Sequence, residues 1–196
     1  KFDIVDFDAC LMGMIEVAYE LKDSVDFLLA SEETEPGQGM PYTDTLRPLH
    51  DNPGISPRQF SQEMIRAYVK SYAVGGSQTS KTITGASITK AAYDLNRLAP
   101  LVEQVNKLGA ALQADHQVYS RMLVDSFGAF AKIRRYSDES FVDLLDFCRK
   151  LSGIAESPAE VKAACQEIIT ILGYPKLEDR LAKPVVVVCS WAEGSK

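Results

Sequence analysis

Lys1 to Leu21, KFDIVDFDACLMGMIEVAYEL, changes its hydrophobic period at one reactive side chain, Cys10. Phe2, Ile4, Val5 and Phe7 form a short, mostly apolar run of β type, and from there onward Leu11, Ile15, Ala18 and Leu21 recur at helical spacing. The stretch therefore reads as a strand followed by a helix. A thiol at such a seam lies where the loops of an open α/β sheet face solvent, and where helix N–H groups favour the thiolate. That is a place for a nucleophile, which in turn needs a base, oxyanion donors and a pocket that sets the scissile carbonyl within about 3 Å.

Outward from this seam, Val25 to Ser31 (VDFLLAS) reads as a second buried strand, giving a strand–helix–strand unit with parallel strands. Glu32, Glu33, Glu35 and the turn Pro36-Gly37-Gln38-Gly39 then fall at the same sheet edge as Cys10, where a substrate pocket needs a wall. Thr43 to Leu49 reads as a short helix and Asp51-Asn52-Pro53-Gly54 as a turn. Ser56-Pro57 opens a longer helix, with Ser56 as N-cap and Phe60, Met64, Ile65, Tyr68 and Val69 on its buried stripe.

Thr82 to Thr89 (TITGASIT) is β-branched and is expected to be a third strand. Two or three long helices are expected between Ala91 and Ile133. Asp138 to Leu151 reads as a further helix, with an acidic first turn and Phe141, Leu144, Leu145 and Cys148 on one face. Ser157-Pro158-Ala159-Glu160 starts another that runs to Leu172, and Val185 to Trp191 reads as the last strand. The expected organisation is a portion of one domain: a catalytic β/α part over 1–90, a helical part over 91–184 and a final strand over 185–191.

With 46% apolar and 24% charged residues in 196, the chain has ordinary globular usage. A net charge of −6 and scattered Lys and Arg, with no basic run beyond Arg134-Arg135, argue against nucleic acid as a partner. No apolar run approaches the roughly 20 residues that span a bilayer. Cys10, Cys148, Cys165 and Cys189 lack C-x-x-C spacing and neighbouring histidines, so no metal is expected. Cys148 and Cys165 lie on apolar helix faces and read as buried thiols rather than a disulfide. The chain starts within a strand at a lysine, which leads to the expectation of a processed or truncated product.

Phe7-Asp8-Ala9-Cys10-Leu11-Met12-Gly13, followed by Glu16 and Ala18-Tyr19-Glu20, closely resembles the nucleophile segment of clostripain-like cysteine peptidases, relatives of the caspase, legumain and gingipain group. Ala30-Ser31-Glu32-Glu33-Thr34-Glu35-Pro36-Gly37-Gln38-Gly39-Met40-Pro41-Tyr42 resembles the family's segment after the next strand. A weaker likeness continues through Phe141-Val142-Asp143-Leu144 to the end of the chain. The resemblance implies a caspase-like α/β sandwich, a mainly parallel sheet flanked by helices, of which this chain is the C-terminal, cysteine-bearing part.

It also implies hydrolysis of peptide bonds after Arg or Lys through a Cys10 thioester, with no cofactor. The Cys10 backbone N–H would be among the oxyanion donors, and Asp8 would be a buried carboxylate in the primary specificity pocket. Read without the family, Asp8 is a cap for the helix after Cys10. Gln38, placed by the resemblance in the same pocket as Asp8, stands between the two glycines where the family often has an acidic residue, and Met40 stands where it has an aromatic one. The family's catalytic histidine lies upstream of the cysteine in a His-Gly motif. His50 and His116 match no such motif, so neither is assigned to catalysis.

The resemblance thus implies a light chain, cut from the same precursor by the peptidase itself, that carries the histidine. Export from a bacterial cell, to a secreted or envelope location, is implied in the same way. Two other readings stand beside this one. One is a caspase-like binding or scaffold module without turnover, kept open by Gln38 and Met40. The other is an unrelated α/β domain with a structural cysteine.

Overall fold

In the computed structural model of the chain, the residues described are 1–79, 88–114, 116, 120, 133–137 and 140–172, with the backbone of 186–192. Strands β1 (Phe2–Asp6) and β2 (Val25–Ala30) pair in parallel, Phe2 opposite Val25 and Asp6 opposite Leu29. Parallel pairing needs a crossover, and helix α1 (Ile15–Leu21) lies within it. Strand β3 (Ile88–Asp94) pairs antiparallel to β2, with Phe27 opposite Asp94 and Ala30 opposite Ala91. Strand β4 (Val186–Ala192) pairs antiparallel to β3. The order is β1-β2-β3-β4. Strands β1, β2 and β4 thus share one direction and β3 opposes them, so the sheet is mainly parallel in strand direction and mixed in pairing.

Helices α2 (Tyr42–Asp51) and α3 (Pro57–Tyr72) follow β2. Ser56 accepts the Gln59 N–H and Pro57 occupies the first helical position, the start its sequence dictates. The stripe of α3, Phe60, Met64, Ile65, Tyr68 and Tyr72, packs on Leu29, Ile88, Ala92 and Met40 to form the core. Ile65 and Tyr68 are fully buried, and an apolar side chain of the size of Ile65 stabilises the fold by about 1.5–3 kcal/mol relative to exposure. Arg58, at the start of α3, meets Asp94 at the end of β3 at 2.5 Å.

The chain divides into two units, Lys1–Asn96 with Val186–Lys196, and Arg97–Val185. In the second unit, helices α4 (Ala99–Ala114) and α5 (Leu144–Gly153) each pack on α6 (Ala159–Leu172). Cys148 and Cys165 are both buried and free there. Their thiols share a hydrogen bond that, with burial, pushes the Cys148 thiol up.

Three elements depart from the sequence reading. Helix α1 begins at Ile15, not Leu11, because Leu11 adopts a left-handed φ of 61° and the chain turns there. Of the expected strand Thr82 to Thr89, only Ile88 and Thr89 lie within the described residues; they open β3, which runs on to Asp94 where helix was expected from Ala91. Helix α5 starts only at Leu144, with Asp143 as its N-cap accepting the Asp146 N–H. Phe141, placed on that helix by its spacing, precedes it, next to Val142, which bridges to Arg135.

The Ser56 cap gives a first expected outcome. Ser56→Ala lowers the unfolding free energy by ~1 kcal/mol and Ser56→Gly by only a few tenths. Denaturant midpoints at constant slope measure both, and an unchanged midpoint for Ser56→Ala would show that the hydroxyl does not hold the helix start.

Candidate active site

Cys10 lies four residues past the end of β1, on a loop held by the segment that follows β2. Leu11 N–H donates to the Glu33 carbonyl at 3.4 Å and Gly13 N–H to the Ser31 carbonyl at 2.7 Å, while the Tyr93 hydroxyl of β3 donates to the Gly13 carbonyl at 3.1 Å. The two segments run so close at Gly13 that a Cβ there would sit 2.8 Å from the Glu32 nitrogen, which excludes any side chain. The Cys10 thiol is exposed, and the Glu35 N–H donates to its sulfur at 3.2 Å. Since α1 starts at Ile15, the donor on the sulfur is this amide from the neighbouring loop and not a helix terminus, as the sequence suggested.

Asp8 neither caps that helix nor is buried. It is exposed, and its Oδ2 accepts the Tyr42 hydroxyl at 2.5 Å. This bond, followed by the carboxylate's charge, raises the Tyr42 phenol above its ordinary value. Gly39, at φ 61°, lies against the same carboxylate, where a Cβ would come within 2.7 Å of Oδ2. The Gly39 carbonyl accepts from the Tyr72 hydroxyl at 2.8 Å and from Gln78 Nε2 at 3.0 Å, which fastens the loop to α3 and the turn beyond it. Met40 is buried in the core beside it, and Gln38 is exposed at the loop tip.

Sequence reasoning passed over Lys90. Its side chain is fully buried, and its Nζ donates to the Phe7 carbonyl at 2.5 Å and to Glu35 Oε1 at 2.8 Å. Asp6 Oδ1 lies 3.0 Å away, and the Tyr68 ring centre 5.2 Å. A lysine between the inward Ile88 and Ala92 was the available signal, because buried lysine is rare unless paired. Glu35, on the expected pocket wall, is engaged by this ammonium. Desolvation dominates at Glu35 and, with Asp8 and Asp6 adding to it, pushes its carboxyl up to about 7 against the pull of Lys90. Burial likewise raises Asp6.

His50 is exposed, its Nδ1 on Asp51 at 2.9 Å, and His116 is exposed in the second unit. Among the described residues, no group of three or more His, Cys, Asp or Glu could hold a metal ion, and no helix is long and apolar enough to cross a membrane.

Glu35 also sets a pH dependence. It titrates near 4.5 when unperturbed and near 7 in the fold, so between those values unfolding releases a proton. Its contribution to stability is full below pH 4.5 and is lost as pH rises to about 7. The melting temperature of the wild type is therefore expected to fall relative to Glu35→Gln across that window; parallel profiles for the two proteins would refute the assignment.

The model of the clostripain family, peptidase C11, matches residues 1–193. No curated protein matches the sequence. Among solved structures, a clostripain from Bacteroides thetaiotaomicron ATCC 29148 in complex with the peptide inhibitor BTN-VLTK-AOMK is similar over 97% of this chain and 68% of its own, at 18% identity and a TM-score of 0.60. A secreted C11 cysteine protease from Bacteroides thetaiotaomicron, with an irreversible peptide inhibitor, matches over 97% and 45%, at 18% identity and a TM-score of 0.62. An inactive zymogen C11 protease from Parabacteroides distasonis matches over 97% and 44%, at 14% identity and a TM-score of 0.60. At these identities the likeness is one of fold, and the chain spans between two fifths and about two thirds of the lengths of these proteins.

Proposed function

The chain belongs to the clostripain family of cysteine peptidases, and from that premise we propose that it hydrolyses peptide bonds after lysine or arginine through a thioester on Cys10. The observation that carries this reading is the exposed Cys10 thiol with the exposed Asp8 carboxylate two residues before it on one loop. A basic side chain bound at Asp8 brings the carbonyl that follows it to the sulfur. The thiolate attacks that carbon, the C–N bond breaks, and the amine leaves with a proton. Water then cleaves the thioester and regenerates the thiol.

The proton carrier is a histidine supplied from outside this chain, by a light chain of the same precursor. The exposed position of His50 on Asp51 supports this. Cleavage after basic residues lets the peptidase mature its own precursor, and the zymogen among its structural relatives is consistent with that. The VLTK sequence of the inhibitor held by another relative supports a basic residue in the primary pocket. Export from a bacterial cell follows the secreted relative.

Asp8 is the charge available to that residue, since Lys90 occupies Glu35 and Gln38 is neutral. Incubating the complete protein with a thiol-reactive peptide ketone ending in lysine or arginine is expected to give one covalent adduct, on Cys10, by intact mass. Cys10→Ala abolishes it and lowers kcat on the order of 10⁶-fold, as for other nucleophile deletions. Asp8→Asn lowers kcat/KM for basic substrates about 10- to 150-fold, the equivalent of one hydrogen bond to a charged group. No adduct on the complete protein would instead favour a binding module without turnover.

A further inference from the structure

We infer that Lys90 is a positioning residue for Cys10, holding Glu35 so that the Glu35 amide stays on the Cys10 sulfur. Two segments meet at the thiol: the loop after β1, which carries Cys10, and the loop after β2, which carries Glu35. Near Cys10 they are joined by the 3.4 Å bond from Leu11 N–H to Glu33 and by the 3.2 Å contact from the Glu35 N–H to Sγ. Lys90 spans both. Its ammonium takes Asp6 at the end of β1 and Phe7 O from the first segment, and Glu35 Oε1 from the second. It is thus bonded to the residue whose amide meets the sulfur, and to the carbonyl three residues before Cys10.

The electrostatics make this brace directional. Asp6 and Glu35 lie in a poorly solvated site, and the charges of Asp8 and Asp6 both disfavour an ionised Glu35. With the ammonium present, Glu35 is drawn toward Phe7. Without it, nothing beside Phe7 holds the Glu35 side chain, which turns to water and takes its amide with it. Lys90 contacts neither Asp8 nor the thiol in this structure, so its action on the chemistry runs through Glu35.

The inference rests on Cys10 being the reactive thiol, and iodoacetamide, which requires no peptide recognition, tests it independently of substrate class. In the complete protein, Lys90→Met is expected to slow alkylation of Cys10 at pH 7 ~tenfold, the worth of one hydrogen bond to a charged sulfur, while leaving the rate at pH 10 within about twofold. Glu35→Ala cuts the brace from its other end, keeps the amide in the chain, and is expected to give the same loss; it also serves if Lys90→Met does not fold. Lys90→Met combined with Glu35→Ala cuts the same brace twice and is expected to lose no more than either single variant.

On a cleaved basic peptide, kcat falls with KM held. A purely structural lysine would lower the melting temperature without changing the pH 7 rate of the folded fraction. That result, or losses that add in the double variant, would overturn the inference. A wild type that is alkylated as expected but cleaves no basic peptide would instead remove the substrate reading and leave this one standing.

Discussion

A single ammonium with no access to water governs the arrangement of the first unit. A charge of that kind persists inside a protein only when oxygens surround it, since desolvation otherwise exceeds any gain from packing. Lys90 finds those oxygens on three residues, Asp6 and Phe7 at the end of β1 and just past it, and Glu35 on the loop after β2. Its strand, β3, therefore lies where both segments can reach it. On the other face of the same strand, Thr89 and Tyr93 hold Ser31, Glu33 and Gly13. One strand thus fixes the segment before the nucleophile, the segment after it and the wall opposite.

Much of the scaffold was legible because local and tertiary preferences agree. The two apolar runs Phe2 to Phe7 and Val25 to Ser31 pair as strands, and the Ser56-Pro57 start and stripe of α3 appear where the sequence puts them. β3 was misplaced because ITKAAYD contains two alanines and a lysine, good helix formers, and only pairing with β2 and β4 makes it extended. At Leu11 the helical spacing was coincidental. A leucine gives no sign of a left-handed φ, a conformation imposed by the backbone bonds to Glu33 and Ser31. At α5, several acidic residues competed as caps, and the bridge between Arg135 and Val142 decided for Asp143.

The site divides the same way. Cys10, Asp8 and the glycine turn were singled out by the likeness of their segments to a family, a signal carried by order along the chain. Their partners were not, because contacts such as Tyr42 with Asp8 and Lys90 with Glu35 join residues 34 and 55 positions apart. No periodicity encodes such pairs. The cationic partner in particular is disguised as an ordinary polar residue in a strand, and only its neighbours Ile88 and Ala92 reveal that it points inward.

The turn bearing Gln38 is gripped by its main chain. Tyr72 and Gln78 both hold the Gly39 carbonyl, and Pro36 accepts the Gly39 amide. These clamps are indifferent to which side chain occupies the exposed position beside them. The fold therefore leaves position 38 free to drift: acid, amide or aromatic can be exchanged there, over evolutionary time or in a saturation library, on a frame whose core does not register the change.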